Sequence, residues 1–551
     1  MRYSATDGAA VVGSEVGTGQ PRTSSGAAAP VIPGFFPDPT ICRVGGDYFL
    51  ATSSFEYFPG APIFHSRDLV TWDQIGNILT RRSQFAAGDG RASGGIFGST
   101  LRHHNNKFWF VTTNMSDFGG GHLLMHAESA AGPWSDPVQI TGTLGIDPDI
   151  AWDSADNCYL TWVGFGPGEN ESGIVQALLD PQTGRLLERP RKLWQGTGLA
   201  YPEGPHLYQA GGWWYLVLAE GGTERGHAVS VSRSKAPGGP FEPHPDNPVF
   251  SHRSTAATVQ NVGHADLVET VDGAWAAVYL GVRPRGSVPG YHVLGRETFV
   301  SGIVWEQGWP RFDEDRYQVP ASDTSFSDDF SGDLPHMRWI APGTDLASFT
   351  AKLAAGIHIT GAGTATATAP LMATRVRDFE WSGRATVHPS PEAVVRLVLR
   401  VDDSHWYAVE AGQRHIRAVA RIGTLHQDMG IAEWDPSAGP LQLEISCNDA
   451  PCAGQPGKNT GPDEVSLGFR QGGRSSTVAR LDGRYLSSEV AGGFTGRVIG
   501  LSVTGGSAVI EQFDYRPLVR GRLDDHGSPC IEGELGEIPG HDPHAPDAGG
   551  H

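Results

Sequence analysis

The chain has 551 residues, room for roughly two to four domains, or one large β domain with a second beside it. A formal net charge of −20 repels phosphate backbones, so no nucleic-acid partner is expected, and no run of about 18 apolar residues is present to cross a membrane. Apolar content of 39% and charged content of 19% exclude a wholly disordered chain, while 74 glycines and 39 prolines point to frequent turns and an all-β fold.

Residues 1–29 are rich in Gly, Ala, Ser and Thr and read as a flexible arm. They contain no apolar core of signal-peptide length, so a cytoplasmic location is expected. The cysteines, Cys42, Cys158, Cys447, Cys452 and Cys530, are odd in number and match no zinc spacing, which fits a reduced setting. Cys447 and Cys452 are close enough in sequence to close a local loop.

Between residues 30 and 320 one pattern recurs: a polar or small residue, an apolar strand, a turn, and a second strand heavy in aromatics. The segments are DPTICRVGGDYFLATSS from Asp38, GSTLRHHNNKFWFVTTN from Gly98, DPDIAWDSADNCYLTWVG from Asp147, EGPHLYQAGGWWYLVLAEG from Glu203 and HADLVETVDGAWAAVYLG from His264. Each centre is a turn signal such as Gly45-Gly46 or Asn105-Asn106, so each segment reads as a hairpin. The starts lie 60, 49, 56 and 61 residues apart, leaving space for two more strands per unit. Four strands at this period make a propeller blade, and five units predict a five-bladed β-propeller. After a polar linker, residues 325–520 hold short alternating strands without that period, among them FEWSGRATVHP, AVVRLVLRVDD and LQLEISC. They predict an antiparallel β-sandwich of jelly-roll, concanavalin-like type. Residues 538–551 read as a disordered tail.

The first strand of a propeller blade lines the axis, so the five segment starts are expected to face one end of a central channel. Asp38, Asp147 and Glu203 then converge with His264. Clustered carboxylates repel, so one holds its proton while another stays ionised, the division of roles that glycosidic hydrolysis needs. FPDPT or DPD alone could be a proline-flanked turn, but equal phase in several repeats argues for a shared site. A lectin would repeat one pocket in every blade, and here the equivalent positions differ.

The stretch PVIPGFFPDPTICRVGGDYFLATSSFEYFPGAPIFHSRDLVTW, with GIDPDIAWD, YPEGPHLY and LGRETF, resembles glycoside hydrolase family 43, in the branch of β-xylosidases and α-L-arabinofuranosidases with a C-terminal sandwich. The resemblance covers about residues 30–520. It implies an inverting, exo-acting hydrolase that removes xylose or arabinose from xylan-derived oligosaccharides. Asp38 matches the general base, Glu203 the general acid, and Asp147 the third carboxylate that raises and orients the acid. Asp149 is the rival for that last role, and repeat phase favours Asp147. Phe55 is similar to a ring of the sugar-pocket wall, with Phe58 as core. Arg283, in GVRPR, matches an arginine reaching the axial site. His264 is similar to an axial histidine that in some relatives organises water or calcium; nothing in this sequence requires calcium, and no cofactor is expected. Where relatives show Trp-Ala-Pro or Tyr-Ala-Pro, this chain has Phe97-Gly98-Ser99, a smaller wall that leaves the substrate open. The resemblance further implies that the sandwich sends a loop to the pocket rim, and that the chain could form a homo-oligomer. Alternatives are a retaining glycosidase or transglycosidase on the same fold, and a carbohydrate-binding protein without turnover, with the His405-Trp406-Tyr407 stretch as a candidate sugar platform.

Overall fold

The computed structural model describes residues 29–84, 90–168, 171–286, 289–362, 369–449 and 462–518. The arm up to residue 28, the tail, Cys452 and Cys530 lie outside these residues.

Residues 40–313 form five antiparallel sheets in chain order, each built outward from its first strand. The first contains Thr40–Val44, Asp47–Ala51, Gly60–Ser66 and Asp73–Leu79; the second Ile96–His104, Lys107–Asn114, His122–Ala127 and Val138–Ile140. The third runs Gly145–Trp152, Cys158–Phe165, Ser172–Asp180 and Arg185–Leu186, with Arg191–Lys192 also on its third strand. The fourth comprises Glu203–Ala210, Trp213–Glu220, Ala228–Ser234 and Glu242–Pro243, and the fifth Gln260–Glu269, Trp275–Val282, Glu297–Glu306 and Trp309–Asp313. Two-residue turns close the inner hairpins of the first, second and fourth sheets. Asn105 and Asn106 (φ 51° and 59°) and Gly211 and Gly212 (φ 54° and 75°) adopt the left-handed backbone that such turns require.

The first strands of neighbouring sheets touch in sequence, and that of the fifth sheet also touches that of the first, so the five sheets close into a ring. Apolar clusters fill the wedges between adjacent sheets: Leu101, Phe110 and Met125 pack with Ile63 and Ile78, and Tyr215 and Val231 with Tyr279 and Phe299. Ahead of the first sheet, Val31 and Ile32 lie along the fifth, the Val31 amide donating to the Thr298 carbonyl at 2.9 Å.

The C-terminal part is two packed antiparallel sheets. One is built around Trp381–Pro389, Leu441–Asp449, Asp463–Gln471 and Ser507–Pro517, the other around Val394–Asp402, His405–Ala411, His415–Ile422 and Val498–Thr504. Buried and half-exposed residues alternate along Leu441–Asp449 and Asp463–Gln471, as expected of strands with one face on a core. Leu443, Val465 and Leu467 of one sheet meet Leu397, Tyr407 and Leu501 of the other in a single core. Trp406 and Tyr407 are both buried, so the His405-Trp406-Tyr407 stretch is core rather than an exposed sugar platform. Cys447 is free, its thiol 3.1 Å from an Asp463 oxygen.

The two parts are joined by backbone as well as side chains. Ala341–Pro342 pairs with Tyr57–Phe58, and Arg400 Nη1 donates to the Tyr57 hydroxyl at 3.1 Å.

Candidate active site

The inner strands share a break in register near their start: between Ile96 and Ser99, Ile146 and Asp149, Glu203 and His206, and twice between Gln260 and Asp266. A bulge re-aims the side chain at the break. Asp38, Asp147, Gly204 and His264 have φ of 52°, 52°, 54° and 48°, a left-handed conformation uncommon for residues other than glycine. Two residues beyond Asp38, Asp147, Gly204 and His264, the residues Thr40, Asp149, His206 and Asp266 resume pairing with the second strand of their sheets, and in the second sheet Ser99 resumes it directly after Gly98. This register corrects the repeat phase. The counterpart of Asp38 in the fourth sheet is Gly204, and Glu203 stands one residue before it. The corrected starts are 60, 49, 57 and 60 residues apart.

The breaks open onto one cleft of about 480 Å³, lined by Asp38, Gly98, Asp147, Glu203 and His264 together with residues from several loops. Gly98 and Gly204 make the close packing there achievable. A Cβ on Gly98 would fall 2.4 Å from Asp147 Oδ1, and one on Gly204 would fall 3.1 Å from the His264 ring. The Gly204 amide donates to Asp147 Oδ2 at 3.1 Å, which ties Asp147 to the backbone of the residue after Glu203.

The three carboxyls sit in different electrostatic surroundings. Burial would push Asp38 up, but Arg296 and then His264 outweigh it and hold Asp38 below the usual carboxylate range. Arg296 Nη1 lies 3.0 Å and His264 Nδ1 3.6 Å from Asp38 Oδ1. Glu203 is pushed up to about 8, first by burial, then by the charges of Asp147 and Asp38. Asp147 is also raised, chiefly by burial, with His264 opposing and Asp38 adding to the effect. One carboxyl is thus held ionised and another protonated at neutral pH in the same cleft.

Asp149 is elsewhere. It is fully buried beneath the cleft, 2.9 Å from Arg102, which also bridges to Asp266 at 2.8 Å. Its second oxygen accepts from the Leu207 amide at 3.0 Å. With its oxygens committed to tying three inner strands together, Asp149 does not line the cleft.

Arg283 requires a correction. It follows the second strand of the fifth sheet and makes a two-pronged pair with Glu297 at 2.6 and 2.8 Å, its guanidinium over the Phe379 ring. The arginine that reaches the cleft is Arg296, in LGRETF, which also donates to Thr223 at 3.0 Å. Its neighbour Glu297 captures Arg283, so the two arginines divide between site and scaffold.

Phe55 and Phe97 both line the cleft. Phe55 exchanges backbone hydrogen bonds with Ile96 at 2.9 and 3.0 Å, which brings Phe97 beside it, ring centroids 5.4 Å apart. Phe58 is buried core. The third ring of the wall, Phe494, comes from a loop of the C-terminal sandwich. It stacks on Phe55 at 5.8 Å and meets Phe97 edge-on at 5.6 Å. Its amide donates to Ser93 Oγ at 2.9 Å, pinning the loop to the rim. Tyr201, Thr223 and Glu224 complete a rim that the repeat pattern did not reveal. Among the described residues no group of three or more His, Cys, Asp or Glu side chains is arranged to hold a metal ion, so calcium near His264 finds no support.

Residues 27–310 match the family described as glycosyl hydrolases family 43, and residues 327–516 match the β-xylosidase C-terminal concanavalin A-like domain. A non-reducing end α-L-arabinofuranosidase of Bacteroides ovatus is 33% identical over 521 residues, 89% of this chain and 94% of that protein. A xylosidase/arabinosidase of Butyrivibrio fibrisolvens is 44% identical over 296 residues, 51% of this chain and 55% of that protein. Among solved structures, a family 43 protein from a Bacteroides ovatus xyloglucan locus superposes with a TM-score of 0.79 at 32% identity, over 89% of this chain and all of that one. A xylan β-1,4-xylosidase of Bacillus halodurans gives 0.79 at 26% identity, with the same coverage. With both parts of the chain matched, its all-β architecture shared and carboxyls gathered in one cleft, the chain belongs to glycosyl hydrolases family 43, whose members are glycosidases that generally need no cofactor.

Proposed function

We propose that the chain is an inverting, exo-acting glycosidase that releases xylose or arabinose from oligosaccharides, with residues 30–320 as a five-bladed propeller carrying the chemistry and residues 325–520 as a sandwich closing its rim. The observation that carries this reading is the opposite bias of two carboxyls in one cleft, Asp38 held ionised by Arg296 and Glu203 held protonated up to about 8.

In this mechanism Asp38 takes a proton from a water molecule as the water oxygen bonds to the anomeric carbon. The bond from that carbon to the leaving oxygen breaks, and Glu203 gives that oxygen its proton. The sugar departs with inverted configuration, Asp38 neutral and Glu203 anionic, and exchange with solvent resets both. Asp147 supports the acid twice: its charge raises Glu203, and its hydrogen bond to the Gly204 amide fixes the backbone beside it.

Phe494 supports the exo mode. A ring contributed by the sandwich stacks on Phe55 and narrows the cleft, as suits a single terminal sugar. Rings of this kind offer apolar faces to the apolar face of a sugar. Hydrolysis of nitrophenyl β-D-xylopyranoside and α-L-arabinofuranoside, by the parent and by Asp38→Ala, tests the reading. Turnover of one or both, lost in the variant, is expected. A folded parent that turns over neither would point to a binding protein.

A further inference from the structure

Tyr201 is the most exposed large aromatic of the cleft, 74% accessible, whereas Phe55 is buried. It has φ of 52°, in the left-handed region, directly before Pro202 and two residues ahead of Glu203. A non-glycine residue in this conformation persists only where its surroundings enforce it, and such outliers gather at functional sites. The enforcing contact is the Gly221 amide, which donates to the Ala200 carbonyl at 2.6 Å. Gly222, itself at φ 74°, passes beneath one edge of the ring, where a Cβ would come within 3.2 Å of Tyr201 Cδ2. Among the described residues the Tyr201 ring stacks on no other ring. The chain therefore holds a bare aromatic face at the mouth of the cleft and removes side chains from beneath it.

The phenylalanines of the cleft pack on one another, and Tyr201 does not join them. Phe55 and Phe494 cluster about Arg296, whose guanidinium lies 5.6 and 5.4 Å from their centroids and 3.0 Å from Asp38. That is the side of the attacked sugar. Tyr201 stands two residues ahead of Glu203, on the segment that enters the fourth sheet. A general acid must stand beside the glycosidic oxygen, so whatever is bonded beyond that oxygen lies outward of Glu203, where the exposed ring is. We propose that Tyr201 is the platform for the leaving-group sugar, stacking on the apolar face of a pyranose unit one position beyond the scissile bond. This rests on the reading of the cleft as a glycosidase site.

The test compares two substrates with the same terminal pentose: a disaccharide whose leaving group is a xylopyranose, and the glycosyl fluoride, whose leaving group has no ring. For Tyr201→Ala, kcat/KM on the disaccharide is expected to fall about fivefold to tenfold more than on the fluoride, mainly through KM. Tyr201→Phe, which keeps the ring, is expected to preserve the parent's ratio. Equal losses on both substrates, or no loss on either, would overturn the platform while leaving the glycosidase reading intact. A parent inactive on both would overturn the glycosidase reading, and the platform with it.

Discussion

Arg296 Nη1 lies 3.0 Å from Asp38 Oδ1 and 3.0 Å from the Thr223 hydroxyl, so one guanidinium neutralises a buried carboxylate of the cleft and is itself held by the rim. Removing that charge leaves Asp38 buried without its main counterion. In Arg296→Met the acid limb of the kcat/KM profile is expected to shift to higher pH, and the rate near neutrality to fall on the order of 100-fold. Arg296→Lys is expected to recover part of the charge but not the fixed fork. Profiles measured side by side check this, and an unshifted acid limb would remove Arg296 from the account.

Glu203 controls the other limb. With its proton held up to about 8, kcat/KM should decline above that pH as the acid is lost. Glu203→Gln cannot lose the proton that the parent loses, so the basic limb should flatten. The general-acid contribution, about 10²–10⁴-fold, should disappear for sugar leaving groups and much less for a dinitrophenolate, which needs no proton. Similar losses on both leaving groups would argue against the acid role.

Stability should carry a separate pH signature. Glu56 is buried between the first sheet and the sandwich, one oxygen accepting from the Ser93 amide at 2.9 Å, and burial pushes it up to about 7. A carboxyl raised in the folded state binds its proton more tightly there than in the unfolded chain. Its favourable contribution is therefore complete below about pH 4.5 and is lost as pH rises through about 7. The loss is on the order of 3 kcal/mol for a shift of this size. Melting temperature followed from pH 5 to 8 should show a decline that is shallower in Glu56→Gln; parallel curves for parent and variant would contradict it.

Much of the architecture was legible because it rests on local rules. Paired turn residues such as Asn105-Asn106 and Gly211-Gly212 mark hairpins whatever surrounds them, so the repeat and the all-β class could be read directly. The phase of the fourth repeat could not. YPEGPH offers both Glu203 and Gly204, and only the register break separates the residue at the bulge from its neighbour. Arg283 and Arg296 both flank strands of the fifth sheet, and which one enters the cleft is decided by Glu297, a partner visible only in three dimensions. The motif LGRETF did contain the better candidate. Phe494 lies 439 residues from Phe55, in a loop whose own sequence has no repeat to place it. Non-local contacts of this kind leave no periodic trace.

Gly95 tests the wall's construction. It has φ of 75°, and a Cβ there would fall 2.1 Å from the Phe55 carbonyl oxygen, which accepts from the Ile96 amide. Gly95→Ala is expected to cost about 2 kcal/mol or more, from the backbone conformation and from the displaced Phe55–Ile96 bridge. KM should rise with it, because Phe55 and Phe97 share that bridge. A stable variant with the parent's KM would show that the wall tolerates movement.

The most direct test of the central claim is the anomer of the sugar first released, followed by proton NMR on whichever nitrophenyl pentoside the parent turns over. If Asp38 activates water while Glu203 protonates the leaving oxygen, the product appears first with inverted configuration and only then mutarotates. A product that first appears with the substrate's own configuration would mean a covalent intermediate, and would contradict the roles assigned to both carboxyls.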